Sequence, residues 1–424
     1  MKILIISYYS FPLNGVPCYR IESFCKTFSE LGAEVTLLTR HWDEKYLKNE
    51  ELFYSDLRPL KIEYNNFYKT IRVPYNSNFK INKSKIINRI KIFLNHLFGK
   101  IGPEYECFRS FKMEAEKAIK NDGIDVLIVS SMPYSLIKLA NHLKRKFKVC
   151  SVVDIRDYIN EKYLIDSVKL GFKAKLLNRL TEFYTKKWLK SSDIVSTVAP
   201  KLNDVFKIKY KLNSKLILNG FEKEYFENLS KEQLKNEVFT IRYIGSIYSG
   251  LNFDLIYKGI KIFSERYPNR KINIEFIGTN SPHIENLFLN LNLNVTITIN
   301  SSRIPKEKVI VKVINSDILL LVWGFYKGNY STKTFDFINS GSHILLCPPD
   351  NDVVEDLIRN YPNGSIANSE DEVVAVLEEQ YEKWESGNNK TALNAFPEFE
   401  REHIACEFYK IIQQYISKEI NHEN

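Results

Sequence analysis

Short apolar runs rich in β-branched residues alternate with helical patterns along most of this chain, and this alternation constrains its fold more than any other feature. In the first half, residues 2–8, 33–39 and 125–131 each read as a strand next to an amphipathic stretch. Such alternation predicts βαβ units and a parallel sheet covered by helices. The pattern stops after a helix that begins at Pro200 and restarts with an apolar run at residues 239–246. The sequence therefore predicts an α/β protein with two Rossmann-like doubly wound domains.

The predicted domain boundaries follow from that restart. We expect a first domain over residues 1–205, a second over residues 206–390, and a last helix within residues 391–424 that packs back on the first domain. Residues 41–112 break the βα rhythm and are interpreted as an insertion. A chain of 424 residues is long enough to bury two hydrophobic cores.

Positive charge is concentrated in the predicted first domain. The chain has 60 Lys and Arg against 51 Asp and Glu, a formal charge of +9. The whole of this excess lies before residue 206, whereas the rest of the chain is slightly acidic. We therefore expect the two domains to bind different partners. The 6 cysteines are widely spaced without a C-x-x-C pair, which predicts neither a zinc nor a redox site.

Five stretches of the chain carry a family likeness. They are ISYYSFPLNGVPCYR at residues 6–20, VVDIRDY at 152–158, LILNGF at 216–221, TIRYIGSIYSG at 240–250 and STKTFDFINSG at 331–341. With two α/β domains and a returning C-terminal helix, they resemble family 4 glycosyltransferases, which have the GT-B fold. The resemblance implies transfer of a sugar, with retention of configuration and without a catalytic metal, in a cleft between an acceptor domain and a nucleotide domain.

The chain departs from the family pattern in the second domain. Asp336 stands where the family has a glutamate, and Gly328 stands where a first glutamate is usual. Ser246, Ser249 and Gly250 stand in place of the usual Arg and Lys. No histidine ends the strand at residues 125–131, so none is predicted to be catalytic. These departures keep a catalytically inactive GT-B binding subunit open as an alternative.

Candidate site residues of the first domain follow two predicted strands. Gly15 precedes a helix N-terminus, where a small residue lets backbone N–H groups approach the donor; the alternative is a simple βα turn. Asp154, Arg156 and Asp157 end an apolar strand, where ligands of open α/β sheets collect. We assign them to the acceptor side, with Asp157 as the catalytic carboxylate. An internal ion pair between Arg156 and Asp154 is the alternative.

Candidate donor-binding residues of the second domain are Gly245, Ser246, Lys333, Thr334 and Asp336. The first two end a strand and would admit the diphosphate to backbone N–H groups. Lys333 and Thr334 open a helix, and Lys333 would neutralise charge on the departing diphosphate as a second catalytic residue. Asp336 would bind the ribose hydroxyls. The alternative is a solvated amphipathic helix.

A D-x-D sequence at Asp350, Asn351 and Asp352 has two interpretations. In other sugar transferases such carboxylates hold a divalent metal. Here two prolines precede it and a helical pattern follows, which favours an N-cap. We therefore expect no metal and no other cofactor besides the nucleotide-sugar substrate.

Two basic amphipathic stretches of the first domain, residues 77–100 and 169–190, predict contact with a membrane. The first carries 6 cations and no acidic residue, and each cation near an anionic lipid surface adds about 1 kcal/mol. Predicted contact residues are Lys83, Lys85, Arg89 and Lys91. The alternative is a helix that covers the first domain. No nucleic-acid recognition module is found.

The combined expectation is a glycosyltransferase acting on a glycan or lipid-linked acceptor in surface polysaccharide assembly. The sequence has neither a spanning apolar run nor the layout of a signal peptide, so we expect a cytoplasmic protein, peripheral on the inner face of the cell membrane. A sugar-nucleotide epimerase of the same fold is a further alternative, although no acid/base residues can be assigned to it.

Overall fold

The chain divides into two compact units, each with its own sheet. The first unit comprises Met1–Leu218 and Arg401–Asn424, and the second comprises Asn219–Glu400. The computed structural model describes residues 1–13, 15–43, 54–76, 94–95, 97–99, 107–157, 171–227, 236–247, 250–288, 291, 294–302, 304–323, 327–388 and 396–423. The prediction of an α/β protein with two parallel-sheet domains is confirmed.

The sheet of the first unit has 8 strands in the order β3-β4-β2-β1-β5-β6-β7-β8. They are β1 (Lys2–Ser7), β2 (Glu34–Arg40), β3 (Lys61–Tyr64), β4 (Lys69–Val73), β5 (Val126–Ser130), β6 (Cys150–Ile155), β7 (Ile194–Thr197) and β8 (Ser214–Leu216). All neighbours are parallel except β3 and β4. The chain winds from β1 towards β4 and then from β5 towards β8, so the winding direction reverses between β1 and β5.

Two differences from the predicted boundaries come from this sheet. The first unit extends to Leu218 instead of residue 205, because β8 pairs with β7 and completes the sheet. The predicted insertion contributes β3 and β4 to the same sheet, where β4 pairs with β2. The insertion is therefore, in part, an extension of the sheet edge.

Five labelled α-helices precede β8 in the described part of the first unit. They are α1 (Val16–Glu30), α2 (Cys107–Asp122), α3 (Ser135–Phe147), α4 (Phe172–Leu189) and α5 (Pro200–Asp204). Ile21, Phe24 and Phe28 recur at helical spacing and are buried. Gly32 has a φ of 87° just beyond α1, the left-handed conformation in which a glycine often ends a helix.

The second unit has a fully parallel sheet of 6 strands in the order β11-β10-β9-β12-β13-β14. Its strands are β9 (Phe239–Ile244), β10 (Ile272–Ile277), β11 (Val295–Asn300), β12 (Ile318–Leu321), β13 (His343–Leu346) and β14 (Gly364–Ile366). Here the winding direction reverses between β9 and β12.

Seven labelled helices belong to the described part of the second unit: α6 (Glu224–Glu227), α7 (Asp254–Arg266), α8 (Pro282–Phe288), α9 (Lys306–Ile314), α10 (Thr332–Ile338), α11 (Val353–Arg359) and α12 (Glu370–Glu385). Two begin at side-chain caps: Asp352 accepts a hydrogen bond from the N–H of Val353, and Ser369 accepts one from the N–H of Glu372. The N-cap at the D-x-D sequence was predicted above, and the cap at Ser369 follows the capping-box pattern of a serine three residues before a glutamate. In the part of the chain that is described, no helix is long and apolar enough to cross a membrane.

The last helix, α13 (Arg401–Glu423), packs in the first unit. Phe408 and Tyr409 are buried against α1, where the ring centroids of Phe24 and Phe408 lie 5.1 Å apart and those of Phe28 and Tyr409 lie 5.3 Å apart. The aromatic residues of α13 therefore complete the hydrophobic core beneath α1.

A buried ion pair links α1 to the sheet of the first unit. The guanidinium of Arg20 donates to both carboxylate oxygens of Asp154, at 2.9 and 3.1 Å, and the two side chains are 2% and 0% exposed. Arg20 also donates to the carbonyls of Ile217 and Leu218, and Ser196 donates to Asp154. Burial alone would raise the pKa of Asp154, but the neighbouring Arg20 outweighs it and the pKa is lowered.

We expect Arg20→Leu to lower the free energy of unfolding by about 3–5 kcal/mol, because it leaves a buried carboxylate without its cation. The double variant Arg20→Leu with Asp154→Leu should recover part of this loss, since no buried charge remains. Lys2→Gln is the control, because its ion pair with Glu34 is exposed and is worth about 1 kcal/mol or less. Urea unfolding measures all three; a double variant less stable than Arg20→Leu would contradict the expectation.

Candidate functional site

Ligands of open parallel sheets collect beyond the carboxyl ends of the strands, where the direction of winding reverses. That position lies between β1 and β5 in the first unit and between β9 and β12 in the second. The residues that follow these strands are therefore candidates for ligand contacts in each unit.

In the first unit, a buried arginine lies at this position. Arg156 follows β6, and its guanidinium donates to the hydroxyl of Ser130 and the carbonyl of Ser131 at the end of β5, both at 3.2 Å. Its guanidinium carbon lies 5.8 Å from the ring centroid of Tyr9, which in turn stacks on Trp42 at 5.9 Å. The carboxyl edge of this sheet thus combines a fixed cation with aromatic rings.

The two aspartates assigned to the acceptor side differ in environment. Asp154 is fully buried in its pair with Arg20, so its carboxylate faces the core and cannot contact an acceptor in this arrangement. The predicted alternative of a pair between Arg156 and Asp154 is replaced by the pair with Arg20. Asp157 is exposed, and its backbone carbonyl accepts a hydrogen bond from Tyr134. Its catalytic role stays a prediction.

Gly15 has no structural reason to be glycine. Its φ of −160° is extended backbone, and an added Cβ would find its nearest neighbour, the Cδ of Pro17, at an ordinary 3.6 Å. The first turn of α1 has neither a side-chain cap nor an acidic residue. The small residue therefore leaves space in front of an uncapped helix N-terminus.

In the second unit, two adjacent strands end in glycines with left-handed backbone. Gly245 follows β9 with a φ of 123°, and Gly278 follows β10 with a φ of 73°. Both glycines occur in an Ile-Gly-Ser/Thr sequence. This repeat is the signal by which Gly278, which was not among the predicted site residues, could have been found. The N–H of Gly245 donates to the carbonyl of Ile277 at 2.8 Å. Gly245 therefore uses its own N–H within the sheet and leaves space for a ligand, and Ser246 beside it is exposed. That the two residues admit a diphosphate stays a prediction.

Lys333 extends from the start of α10 to the end of β9. Its Nζ lies 4.1 Å from the ring centroid of Tyr243 and 3.4 Å from the carbonyl oxygen of Ile244. Burial lowers the pKa of Lys333 from 10.5 to about 7. Among the described residues, no carboxylate lies within ion-pair distance of this ammonium. Next to it, the hydroxyl of Thr334 is buried and has no hydrogen-bond partner in the described part of the chain.

Asp336 is already paired. Its carboxylate accepts a hydrogen bond from Lys306 at the start of α9, and the two side chains are largely buried. Lys306 was not among the predicted site residues, because it is 30 residues away from Asp336 in the chain. A ribose would therefore have to share Asp336 with a lysine. Binding of the ribose hydroxyls by Asp336 stays a prediction.

The D-x-D carboxylates serve the start of α11. Asp352 is its N-cap, and a carboxylate oxygen of Asp350 accepts from the N–H of Glu355 at 2.9 Å. Burial raises the pKa of Asp350. In the described ranges, no group of three His, Cys, Asp or Glu could hold a metal ion. The predicted membrane contacts Lys83, Lys85, Arg89 and Lys91 lie outside the described residues, as does Ser249.

Comparisons with known proteins match the fold. No family model and no curated protein matches the sequence. The sucrose-phosphate synthase of Thermosynechococcus elongatus is 13% identical, with a TM-score of 0.62 over 98% of this chain and 99% of that chain. A UDP-forming α,α-trehalose-phosphate synthase from Burkholderia xenovorans, in complex with glucose-6-phosphate, is 10% identical, with a TM-score of 0.59 over 97% of this chain and 100% of that chain. A glycosyltransferase from Rickettsia africae is 12% identical, with a TM-score of 0.59 over 98% of both chains.

At these identities the likeness shows the fold alone. The likeness extends over nearly the whole chain, and each unit of the chain has the expected parallel sheet. The predicted GT-B fold is confirmed. Membership of family 4 stays a prediction.

We expect the titration of Lys333 to affect the pH dependence of stability. The unfolded amine has a pKa near 10.5 and the folded one about 7, so between these values the unfolded state binds more protons and the free energy of unfolding rises with pH. In urea unfolding from about pH 6.5 to about pH 10, the stability of wild type relative to Lys333→Met should increase. Lys308→Met, at an exposed position of α9, should leave the slope unchanged. A constant difference between wild type and Lys333→Met would show that this amine does not titrate there.

Proposed function

We propose that this chain is a glycosyltransferase that takes a sugar from a nucleotide sugar, with the nucleotide bound by the second unit and the acceptor by the first. The observation that carries the proposal is the position of Lys333 at the carboxyl edge of β9. A desolvated ammonium without a carboxylate partner among the described residues is destabilised until an anion approaches. The diphosphate of a nucleotide sugar is such an anion.

The surroundings of Lys333 fit this ligand. Gly245 and Gly278 remove side-chain bulk from the ends of β9 and β10, and the start of α10 adds a helix N-terminus beside the lysine. In the transfer step, Lys333 stabilises negative charge that grows on the departing diphosphate, an interaction stronger in the transition state than in the ground state. The paired Asp336 and Lys306 lie about one turn away and would contact the nucleoside.

For the acceptor, the support comes from Arg156 and the rings beside it. A sugar presents apolar C–H faces and polar hydroxyls, which aromatic rings and a fixed guanidinium can bind together. The solved structures with the same fold include synthases that form phosphorylated disaccharides. The finer proposals are a glycan or lipid-linked acceptor, retention of configuration, no metal, a role in surface polysaccharide assembly and a peripheral position on the inner face of the cell membrane. They rest on the resemblance to family 4 and on the basic stretches.

An inactive binding subunit is the second candidate, because of two observations. Gly328, which replaces the family's first glutamate, has a φ of 63° and donates its N–H to Asp352. Asp336, the second acid, is held by Lys306. A subunit of this kind would bind a nucleotide without breaking down the donor, so binding and turnover have to be measured separately.

We expect one nucleoside diphosphate to raise the thermal midpoint of the wild type when UDP, GDP, ADP and dTDP are compared. A ligand present at 100 times its Kd adds about 2.7 kcal/mol to the folded state. Lys333→Ala should abolish most of this shift, because the diphosphate loses its cation, whereas the control Lys308→Ala should retain it. The proposal fails if no diphosphate raises the midpoint, or if Lys333→Ala responds like the wild type.

We expect Gly15→Ala to reduce turnover without unfolding the protein. The added Cβ has space in the structure, so the free energy of unfolding should change by about 1 kcal/mol or less, whereas the sugar or its phosphates would be displaced. Gly171→Ala is the matched control, because Gly171 is also an extended N-cap with no atom within 4 Å of an added Cβ. Donor hydrolysis or transfer measures the effect; equal turnover in the two variants would remove Gly15 from the site.

A further inference from the structure

The exposed face of α4 combines aromatic rings with cations. Its exposed side chains follow each other at helical spacing, and at about 100° per residue they fall within a sector of about 120°. Phe172 is 82% exposed and Phe183 is 60% exposed. Among the described side chains of α4 and of the residue that follows it, the exposed ones are Phe172, Lys175, Arg179, Phe183, Lys187 and Lys190.

Acidic side chains do not balance this charge. Between residues 172 and 190 the sequence contains a single acid, Glu182, whose carboxylate is paired with Lys209 at 2.7 Å. On α2, by contrast, Glu114 pairs with Lys117 and Glu116 pairs with Lys146. A solvated helix face usually mixes both signs as α2 does, so solvation alone does not account for the exposed face of α4.

The end of the first basic stretch lies against the same helix. The hydroxyl of Tyr184 donates to the carbonyl of Leu97 at 2.5 Å, and an added Cβ at Gly99 would lie 3.1 Å from the ring of Tyr184. Phe98, which lies between Leu97 and Gly99 in the chain, is 72% exposed. The described end of the first basic stretch therefore contacts α4. We call Phe172, Lys175, Arg179, Phe183 and Lys187 the aromatic–basic surface.

We propose that the aromatic–basic surface binds an anionic lipid membrane, with the cations on the headgroups and the phenylalanines in the interface. Amphipathic surfaces of this composition gain free energy from buried apolar area and from attraction to anionic lipid together. Single-stranded nucleic acid, which also prefers cations and rings, is bound in grooves, whereas this surface is the outer face of one helix. This proposal deepens the proposed function, because it names the partner that would present a lipid-linked acceptor. Only that use of the membrane rests on the proposed function.

Cosedimentation with vesicles tests the role of the cations. The wild type should bind vesicles of phosphatidylglycerol and phosphatidylcholine, less so at high salt, and should bind pure phosphatidylcholine weakly. K175Q/R179Q/K187Q should weaken the binding by about 100-fold. The matched control is R109Q/K117Q/K120Q, which removes the same charge from exposed positions of α2 and should bind within a few-fold of the wild type. Equal losses of vesicle binding in both variants would show that binding depends only on the net charge of the protein, and would overturn the proposal.

The phenylalanines are tested by F172S/F183S, with M113S as the control because Met113 is 57% exposed on α2. The double variant should lose most of the vesicle binding that persists at high salt, while M113S should keep it. Thermal midpoints establish that all variants are folded, as expected for exposed positions. Binding to a single-stranded oligonucleotide without binding to vesicles would overturn the proposal in favour of nucleic acid.

The same preparations separate this proposal from the proposed function. Nucleoside diphosphate shifts and donor hydrolysis are measured without vesicles, and vesicle binding is measured without nucleotide. Vesicle binding by a chain that binds no diphosphate would sustain the membrane surface and overturn the transferase. Diphosphate binding together with donor hydrolysis, by a chain that does not bind vesicles, would sustain the transferase and overturn the membrane surface.

Discussion

Parallel pairing of buried strands is the constraint on which the rest of both units depends. Every pair of neighbouring strands in the two described sheets is parallel except β3 with β4. Parallel strands need crossovers, and in such sheets helices supply them and cover the faces. The carboxyl ends therefore collect at one edge of each sheet. Side chains far apart in sequence, such as Tyr243 and Lys333, come into contact at that edge for this reason.

The sequence was sufficient to predict a structural feature wherever the residues that determine it are neighbours in the chain. Apolar periodicity located the strands and helices, and the caps Asp352 and Ser369 were readable because a cap and its partner are neighbours in the chain. The ion-pair partners of charged residues, in contrast, could not be predicted from the sequence. The partner of Asp154 is 134 residues away, and a carboxylate at a strand end has the same sequence pattern whether it faces solvent or a buried arginine. For the same reason the pairing of Lys306 with Asp336 could not be predicted.

The departures from the family pattern have a structural basis in the second unit. Gly328 adopts a left-handed backbone and gives its N–H to the residue that caps α11, so a glutamate there would strain the loop. Asp336, shorter than the usual glutamate, is engaged by Lys306. Lysines thus lie at an edge of the sheet where the resembled family has acids. The second half of the chain as a whole is nevertheless slightly acidic. In the proposed function, the anion would bind to the ammonium of Lys333, because the ammonium of Lys306 is already paired with Asp336.

The position of α13 has a consequence for how the protein is made. Its aromatic residues belong to the core beneath α1, although the entire second unit separates the two helices along the chain. On the ribosome, the second unit emerges complete while the first still lacks part of its interior. The α1 surface with Phe24 and Phe28 therefore stays uncovered until α13 has been translated, so the core of the first unit is completed only after the whole second unit has been made.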